Sequence, residues 1–335
     1  MKKKDAIQFY QSKTPQTIEP TKLLHVLERM LLIRHFEMRA KAAYQQGYIG
    51  GFFHAYTGQE AIQVGALEAL GIEKHWWITT YRCHALALLL GATPNSVMAE
   101  LYGKSSGNAR GRGGSMHLYG DRLLGGFGIV GGHIPIATGA GFSLKYQNNG
   151  GIAICFLGDG AVAQGGFHES LNLASLWNLP CMYVIENNGW GMGTSVHRAI
   201  CVQPIAEHMA KSYNMKAYTL DGMDFFNCYA GFCDIYNEML QNKRPVLVEA
   251  IAERFEGHSI SDPGLYRSKE AINAMKKRDP IRLLIEKLKQ TSTVTDREIE
   301  AIDNRQKEIV LAAMDYANQE PWPDPITLEE DVFAP

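Results

Sequence analysis

Two polar side chains follow two continuous apolar runs in the middle of the chain. Residues 152–157 form the first run, which leads to Asp159 between two glycines, and residues 181–185 form the second, which leads to Asn188. Such runs predict strands buried on both faces, and apolar residues at helical spacing over 164–178 predict a helix between them. A strand–helix–strand unit brings both strand ends, and therefore Asp159 and Asn188, to one edge of a parallel sheet.

The chemistry predicted for this pair is the binding of a hard cation that holds a phosphorylated ligand. Mg²⁺ takes one or two carboxylates, a few neutral oxygens and oxygens of the ligand's own phosphates. Asp159 offers the carboxylate and Asn188 a neutral carbonyl oxygen, while flanking glycines allow the backbone to approach phosphate oxygens closely. The alternative is that both side chains only cap helices and turns after the strands.

The order Gly-Asp-Gly, a spacer and Asn-Asn is the thiamin diphosphate motif, and its surroundings resemble one family. Over residues 20–320 the chain resembles the α subunits of two-subunit 2-oxo acid dehydrogenase E1 components. The resemblance implies an α/β fold of the thiamin diphosphate-binding type, with a mostly parallel sheet, helices on both faces and a C-terminal helical extension. It also implies thiamin diphosphate and Mg²⁺ as cofactors.

The same resemblance implies roles for residues on several segments. The metal is expected to be held by Asp159, Asn188 and the backbone carbonyl of Trp190, a position where most relatives have tyrosine. Catalytic roles are implied for two loop histidines, His54 near the carboxylate of the 2-oxo acid and His258 near the diphosphate. The residues implied to bind the cofactor are Tyr81, Arg82, Gly128, Val130, Asp159, Gly160, Ala161, Asn188 and His258.

The residue types suit these roles, although each has a simpler alternative. The planar guanidinium of Arg82 can pair with phosphate oxygens in two hydrogen bonds, but an arginine that opens a helix is also an ordinary surface residue. A single loop histidine such as His54 is most often on the surface. His133 fits the start of a helix equally well, and we leave it out of the catalytic set. The glycine-rich, basic segment 104–117 is expected to be a mobile loop near the mouth of the site.

The resemblance further implies the reaction and the partner proteins. A 2-oxo acid is decarboxylated, and the acyl unit passes to the lipoyl group of an E2 partner. In this family the glutamate that activates the aminopyrimidine belongs to the E1 β subunit, so an α2β2 heterotetramer is expected. Tyr81, Arg82 and His84, together with Glu186, favour pyruvate, and thus a dihydrolipoyl acetyltransferase as E2. Branched-chain 2-oxo acids, acetoin, or a non-catalytic assembly subunit remain as alternatives.

The composition excludes other classes of function. The chain has 335 residues, 46% of them hydrophobic, and a formal net charge of −2, which argues against binding to nucleic acid or to an anionic membrane surface. No apolar run reaches the roughly 18 residues that a membrane-spanning helix requires. The six cysteines show no metal-ligand clustering, and two fall within apolar strands. Buried free thiols in a reducing compartment are therefore expected, and the cytoplasm is the simplest location.

The pattern along the chain divides it into three parts. Residues 1–20 are polar and contain proline, which predicts a loosely held N-terminal arm. Residues 21–267 are expected to form the α/β domain that binds diphosphate and metal. Residues 268–335 are expected to form a charged helical segment followed by a proline-rich, acidic tail.

Overall fold

A computed structural model describes residues 7–12, 18–291 and 294–330. Six strands form one sheet in the order β2-β1-β3-β4-β8-β7, and every neighbouring pair is parallel; β5 and β6 form a separate antiparallel ribbon. In chain order the strands are β1 (Trp76–Thr80), β2 (Leu123–Phe127), β3 (Ala153–Gly158), β4 (Cys181–Asn187), β5 (Trp190–Gly191), β6 (Thr194–Ser195), β7 (Lys216–Asp221) and β8 (Val246–Ile251).

Helices cover both faces of the sheet, as the fold prediction requires. In chain order they are α1 (Pro20–Gln45), α2 (Glu60–Leu70), α3 (His84–Leu89), α4 (Pro94–Leu101), α5 (His133–Gln147), α6 (Gly165–Leu176), α7 (Val196–Ala199), α8 (Ile205–Ser212), α9 (Phe225–Asn242), α10 (Lys269–Lys276), α11 (Pro280–Thr291) and α12 (Asp296–Gln319). One apolar core contains side chains of α1–α4, α9, α11 and α12, and the other contains side chains of α5, α6 and α8. The predicted α/β fold is therefore confirmed.

The central strands are apolar throughout because both of their faces are buried. In β3, Ile154 and Phe156 contribute to one core, whereas Cys155 and Leu157 contribute to the other. β3 and β4 pair in parallel up to Gly158 opposite Glu186. Asp159 and Asn188 therefore follow neighbouring strand ends, as the sequence predicts.

Strand β2 is the main element that the sequence pattern did not predict. Its sequence contains two adjacent glycines, which have low strand propensity, and we interpreted the segment only as a glycine-rich approach to a helix. The structure shows a packing reason for Gly126, since a Cβ atom there would lie 2.5 Å from Sγ of Cys83. Strand β4 also continues two residues beyond the predicted apolar run, so Glu186 and Asn187 belong to the sheet.

The C-terminal helices share a core with the rest of the chain. Helix α12 packs against α1 and α4, and its apolar side chains belong to the same core as those of the sheet. At the other end, the backbone N–H of Tyr10 donates to the carbonyl of Thr219 in β7 at 2.7 Å. The predicted boundaries at residues 20 and 267 remain predictions, and residues 1–6, 13–17 and 331–335 of the two termini lie outside the described residues. Within the described part, no helix combines the length and apolarity needed to cross a membrane.

His133 begins α5 and connects this helix to the sheet. Its Nε2–H donates to the carbonyl of Phe156 at 2.8 Å, and its ring stacks on Phe127 with centroids 5.9 Å apart. Burial lowers the pKa of His133 to about 4, although the hydrogen bond opposes this shift. The imidazole is therefore neutral in the folded protein at neutral pH.

The lowered pKa of His133 predicts that folding is acid-sensitive. The unfolded chain binds a proton at this residue near pH 6.5, but the folded chain does so only near pH 4, so stability is lost as the pH falls through this window. For this group alone the loss is about 3 kcal/mol. His133→Gln keeps a donor for Phe156, and we expect its urea-unfolding free energy to decline less steeply between pH 6.5 and 4.5. Parallel profiles for the two proteins would contradict the assignment.

Candidate active site

A cavity of about 390 Å³ opens at the carboxyl ends of β1, β3 and β4. The chain order of the strands reverses between β1 and β3, which is where open α/β sheets bind ligands. Of the residues predicted from sequence, those that line the cavity are Tyr81, Arg82, Val130, Asp159, Gly160, Ala161, Asn188, Trp190 and His258. Two predicted residues, His54 and Gly128, are outside this lining.

Asp159 is a buried carboxylate whose second oxygen is unused. It begins a short 3-10 helix, Asp159–Ala163, and is only 2% exposed. Its Oδ2 has no hydrogen-bond partner within the described part of the chain. Burial raises the pKa of Asp159 to about 6, while the backbone amide of Asn188 and the Arg254 guanidinium oppose that rise.

Asn188 offers a second unused oxygen in the same cavity. Its Nδ2 donates to Oε1 of Gln59 at 3.1 Å, whereas its Oδ1 is buried and finds no partner among residues 7–12, 18–291 and 294–330. An anionic and a neutral oxygen without donors match the ligands that Mg²⁺ prefers. The described residues contain no cluster of three or more His, Cys, Asp or Glu suited to a metal, so a site here would depend on a single carboxylate.

Trp190, the third predicted metal ligand, begins the β5–β6 ribbon beside the cavity. Its carbonyl accepts a hydrogen bond from Nη1 of Arg254 at 3.4 Å, and its ring contacts Tyr266 with centroids 4.9 Å apart. Arg254 is 1% exposed, and its Nη2 donates to the Tyr266 hydroxyl at 2.7 Å. This arginine lines the cavity, but the sequence analysis gave it no binding role. The sequence did indicate one reason to consider it: Arg254 follows the buried strand β8, at the sheet edge where ligands bind.

A buried acid that sequence analysis did not identify supports the turn at Asn188. Glu249 of β8 accepts from Nδ2 of Asn187 at 2.7 Å and from the backbone N–H of Ala206 at 2.9 Å. Asn187 in turn accepts from the backbone N–H of Gly189 at 3.0 Å. Because these bonds clamp the residues on both sides of Asn188, they restrict where its side chain can lie. In the sequence, the role of Glu249 is indicated only by its being a charged residue within the apolar run of β8.

Glu186 lies in the wall of the cavity and is fully buried. The Tyr56 hydroxyl and Nε2 of Gln63 both donate to its Oε1. Burial raises the pKa of Glu186 to about 7, and both hydrogen bonds and the Arg82 charge oppose the rise. The carboxyl group therefore titrates near neutral pH. From sequence we used Glu186 only to distinguish substrates, whereas the structure places it in the site itself.

The two predicted histidines lie side by side although 204 positions in sequence separate them. The His54 ring centroid is 5.1 Å from that of His258 and 4.4 Å from that of Tyr81. Burial lowers the pKa of His54 to about 2 and that of His258 to about 4, and the Arg82 charge adds to both shifts. Both imidazoles are therefore neutral at pH 7. Nδ1 of each ring is buried without a partner in the described structure.

Arg82 joins the two loops that carry these histidines. Its Nη1 donates to the carbonyl of Ala55 and its Nη2 to the carbonyl of His258, both at 2.7 Å. Burial lowers the pKa of Arg82 to about 10, so its guanidinium remains charged at neutral pH. Arg82, which we predicted to bind phosphate, thus connects the two loops on which His54 and His258 lie.

The segment after β2 forms the exposed side of the cavity. Val130, predicted to contact the bend of the cofactor, is 45% exposed, and the neighbouring Ile129 is 77% exposed. Gly128, predicted to lie against the aminopyrimidine, lies close to a histidine: a Cβ atom there would be 3.0 Å from Nε2 of His117. Its role towards the cofactor remains a prediction. The side of the cavity at Ile129 and Val130 is open to an approaching molecule.

The glycine-rich segment 104–117 has a defined anchor that its composition did not indicate. The buried carboxylate of Glu100 accepts four backbone hydrogen bonds at 2.7–3.0 Å, from the N–H groups of Ala109, Gly111, Gly113 and Gly114. A Cβ atom at position 107 would lie 2.3 Å from the Glu100 carboxylate, so a residue larger than glycine would not fit there. The loop therefore wraps around a single charge.

The end of this loop is held by a second buried group. Nε2 of His84 lies 2.8 Å from Oγ of Ser115, and Nδ1 of the same ring lies 3.1 Å from the Glu37 carboxylate. All three side chains are buried. Helix α1 is thereby connected through His84 to the segment that leads towards the cavity.

Known proteins match nearly the whole chain. The dehydrogenase E1 component family model matches residues 28–326. The pyruvate dehydrogenase E1 component subunit alpha of Rickettsia conorii is 40% identical over 320 residues, 94% of this chain and 98% of that protein. The protein of the same name from Rhizobium meliloti is 39% identical over 313 residues, 92% of this chain and 89% of its own. With these matches, and with the residues of its Asp–Asn motif in one cavity, the chain belongs to the dehydrogenase E1 component family.

Proposed function

We propose that this chain is the α subunit of a pyruvate dehydrogenase E1 component that binds thiamin diphosphate through Mg²⁺. The observation that carries the proposal is a pair of buried oxygens in one cavity, Oδ2 of Asp159 and Oδ1 of Asn188, neither of which has a hydrogen-bond partner among the described residues. A buried polar atom without a partner costs free energy, which a bound cation would recover. Family membership and the names of the relatives support the same conclusion.

Thiamin diphosphate, when bound, supplies the electron sink for decarboxylation of a 2-oxo acid. The task of this chain is to hold the diphosphate end. Asp159 and Asn188 bind Mg²⁺, with the backbone carbonyl of Trp190 as the third ligand that we propose. The buried positive charges of Arg82 and Arg254 lie on the same cavity and favour the binding of anions.

His54 and His258 can each donate a hydrogen bond to an oxygen of the substrate or of the diphosphate, and as neutral rings they can also accept a proton. A neutral imidazole can donate one N–H and accept one proton, and burial, to which the positive charge of Arg82 adds, lowers the pKa of both rings so that they are unprotonated at neutral pH. An anion that neutralises Arg82 would remove only that smaller contribution, and burial would still hold both pKa values below the ordinary range.

A second polypeptide completes the proposed enzyme. The two acidic residues that line the cavity are Asp159 and Glu186, and both belong to the strand ends at its base. The activating glutamate expected for the family would come from an E1 β subunit in an α2β2 heterotetramer. The exposed Ile129 and Val130 mark the side from which it would approach. The acyl product would pass to a dihydrolipoyl acetyltransferase, and the free cysteines support a reducing cytoplasmic location.

Removal of the proposed metal carboxylate should abolish cofactor binding. We expect Asp159→Ala, in the assembled α and β chains, to lose Mg²⁺-dependent quenching of tryptophan fluorescence by thiamin diphosphate and to lose CO2 release. Glu207→Ala removes an exposed carboxylate on α8 and should leave both unchanged. Unchanged binding and turnover in Asp159→Ala would leave the metal assignment without support.

The choice of substrate is tested by steady-state kinetics of the same assembly. We expect kcat/KM for pyruvate to exceed that for branched-chain 2-oxo acids by at least about tenfold, since one or two extra methylenes in a fitted pocket change specificity by such factors. We expect acetoin also to be a poorer substrate, because it has no carboxylate. A higher kcat/KM for a branched 2-oxo acid would reassign the substrate while retaining the cofactor chemistry.

A further inference from the structure

Gln59 is a fully buried amide in the cavity wall, immediately before α2. Its Oε1 accepts from Nδ2 of Asn188, while its Nε2 has no hydrogen-bond partner in the described structure. The backbone around it is held on both sides: its N–H donates to the carbonyl of Tyr56, and its own carbonyl accepts from Ile62. Gln59 therefore has an N–H group available to donate in the cavity that also contains the two available oxygens, Oδ2 of Asp159 and Oδ1 of Asn188.

Two amides that face each other can be paired in two ways. In the arrangement present here, Asn188 donates to Gln59, which leaves an oxygen on Asn188 and an N–H on Gln59. If both amides turned over together, Gln59 would donate to Asn188, leaving an N–H on Asn188 and an oxygen on Gln59. Both arrangements leave one oxygen and one N–H, but only the first puts the oxygen on Asn188, which follows the strand beside that of Asp159, and the donor on Gln59.

We infer that Gln59 is a positioning residue for the metal and a direct donor to the anionic part of the ligand. Through Oε1 it holds the Asn188 amide so that Oδ1 faces the cation. Through Nε2 it donates to a phosphate oxygen of the ligand that the cation binds. The inference rests on the proposed function, since it takes Asn188 as a Mg²⁺ ligand and a diphosphate as its partner. Outer groups that orient a metal ligand typically change metal affinity by 10–100-fold when removed.

Two substitutions separate the two roles of Gln59. Gln59→Glu keeps an acceptor for Asn188 but has no amide donor and places a negative charge beside the phosphate. Gln59→Met has a similar length but neither acceptor nor donor. The apparent affinity for Mg²⁺ at saturating thiamin diphosphate, and for thiamin diphosphate at saturating Mg²⁺, would be measured by fluorescence quenching at pH 8 in the assembled protein. Gln306→Met in α12 is the control, because Gln306 is also buried but lies outside the cavity lining.

We expect Gln59→Met to weaken both affinities at least tenfold. Gln59→Glu should retain Mg²⁺ affinity within about threefold, but lose at least tenfold in thiamin diphosphate affinity because a carboxylate cannot donate to a phosphate oxygen and its negative charge repels it. The inference is overturned if Gln59→Met binds Mg²⁺ within twofold of the parent protein, or if Gln59→Glu weakens Mg²⁺ binding as much as Gln59→Met does. A parent protein that shows no Mg²⁺-dependent binding at all would refute the proposed function instead, and Asp159→Ala in the same assay provides the reference for that outcome.

Discussion

The arrangement of this site depends on two buried oxygen atoms, Oδ2 of Asp159 and Oδ1 of Asn188, to which no group in the described part of the chain donates. Asp159 and Asn188 directly follow neighbouring parallel strands, and the pairing of these strands therefore brings the two residues to the same edge of the sheet. Each unpartnered buried atom costs about 1–3 kcal/mol, and the cost is larger for a charged group. The neighbouring residues do not donate to these oxygens. Gln59 accepts a hydrogen bond from the nitrogen of the Asn188 amide, and Glu249 accepts one from the side chain of the flanking Asn187.

Positive charge in the same cavity complements this pair. Arg82 and Arg254 are buried, and both use their guanidinium groups to hold backbone carbonyls at the rim. Burial lowers the pKa values of His54 and His258, and the same charges add to the shift, so both histidines are neutral at neutral pH. A cation site and an anion-attracting wall therefore lie in one cavity, which suits a ligand in which metal and phosphate are bound together.

Buried acids hold the surrounding loops, and each does so by accepting hydrogen bonds. Glu100 collects four backbone N–H groups of the glycine-rich segment, and Glu249 holds the turn at Asn188 and the start of α8. Glu37 binds His84, which lies against Ser115 at the end of the same segment. Burying a carboxylate costs free energy unless its oxygens accept hydrogen bonds, as those of these acids do. The loops at this end of the sheet thus depend on residues within helices and strands for their conformation.

The sequence alone determined the elements whose signal is local. Continuous apolar runs predicted β3 and β4 because both of their faces are buried, and the motif predicted that Asp159 and Asn188 meet. Only the tertiary structure revealed the contributions of Gln59, Arg254 and Glu249. Each acts through a partner on another element, and a hydrogen bond between distant positions leaves no periodicity in sequence. Strand β2 was missed for a related reason, since Gly126 is required by the close approach of Cys83, a residue on another element.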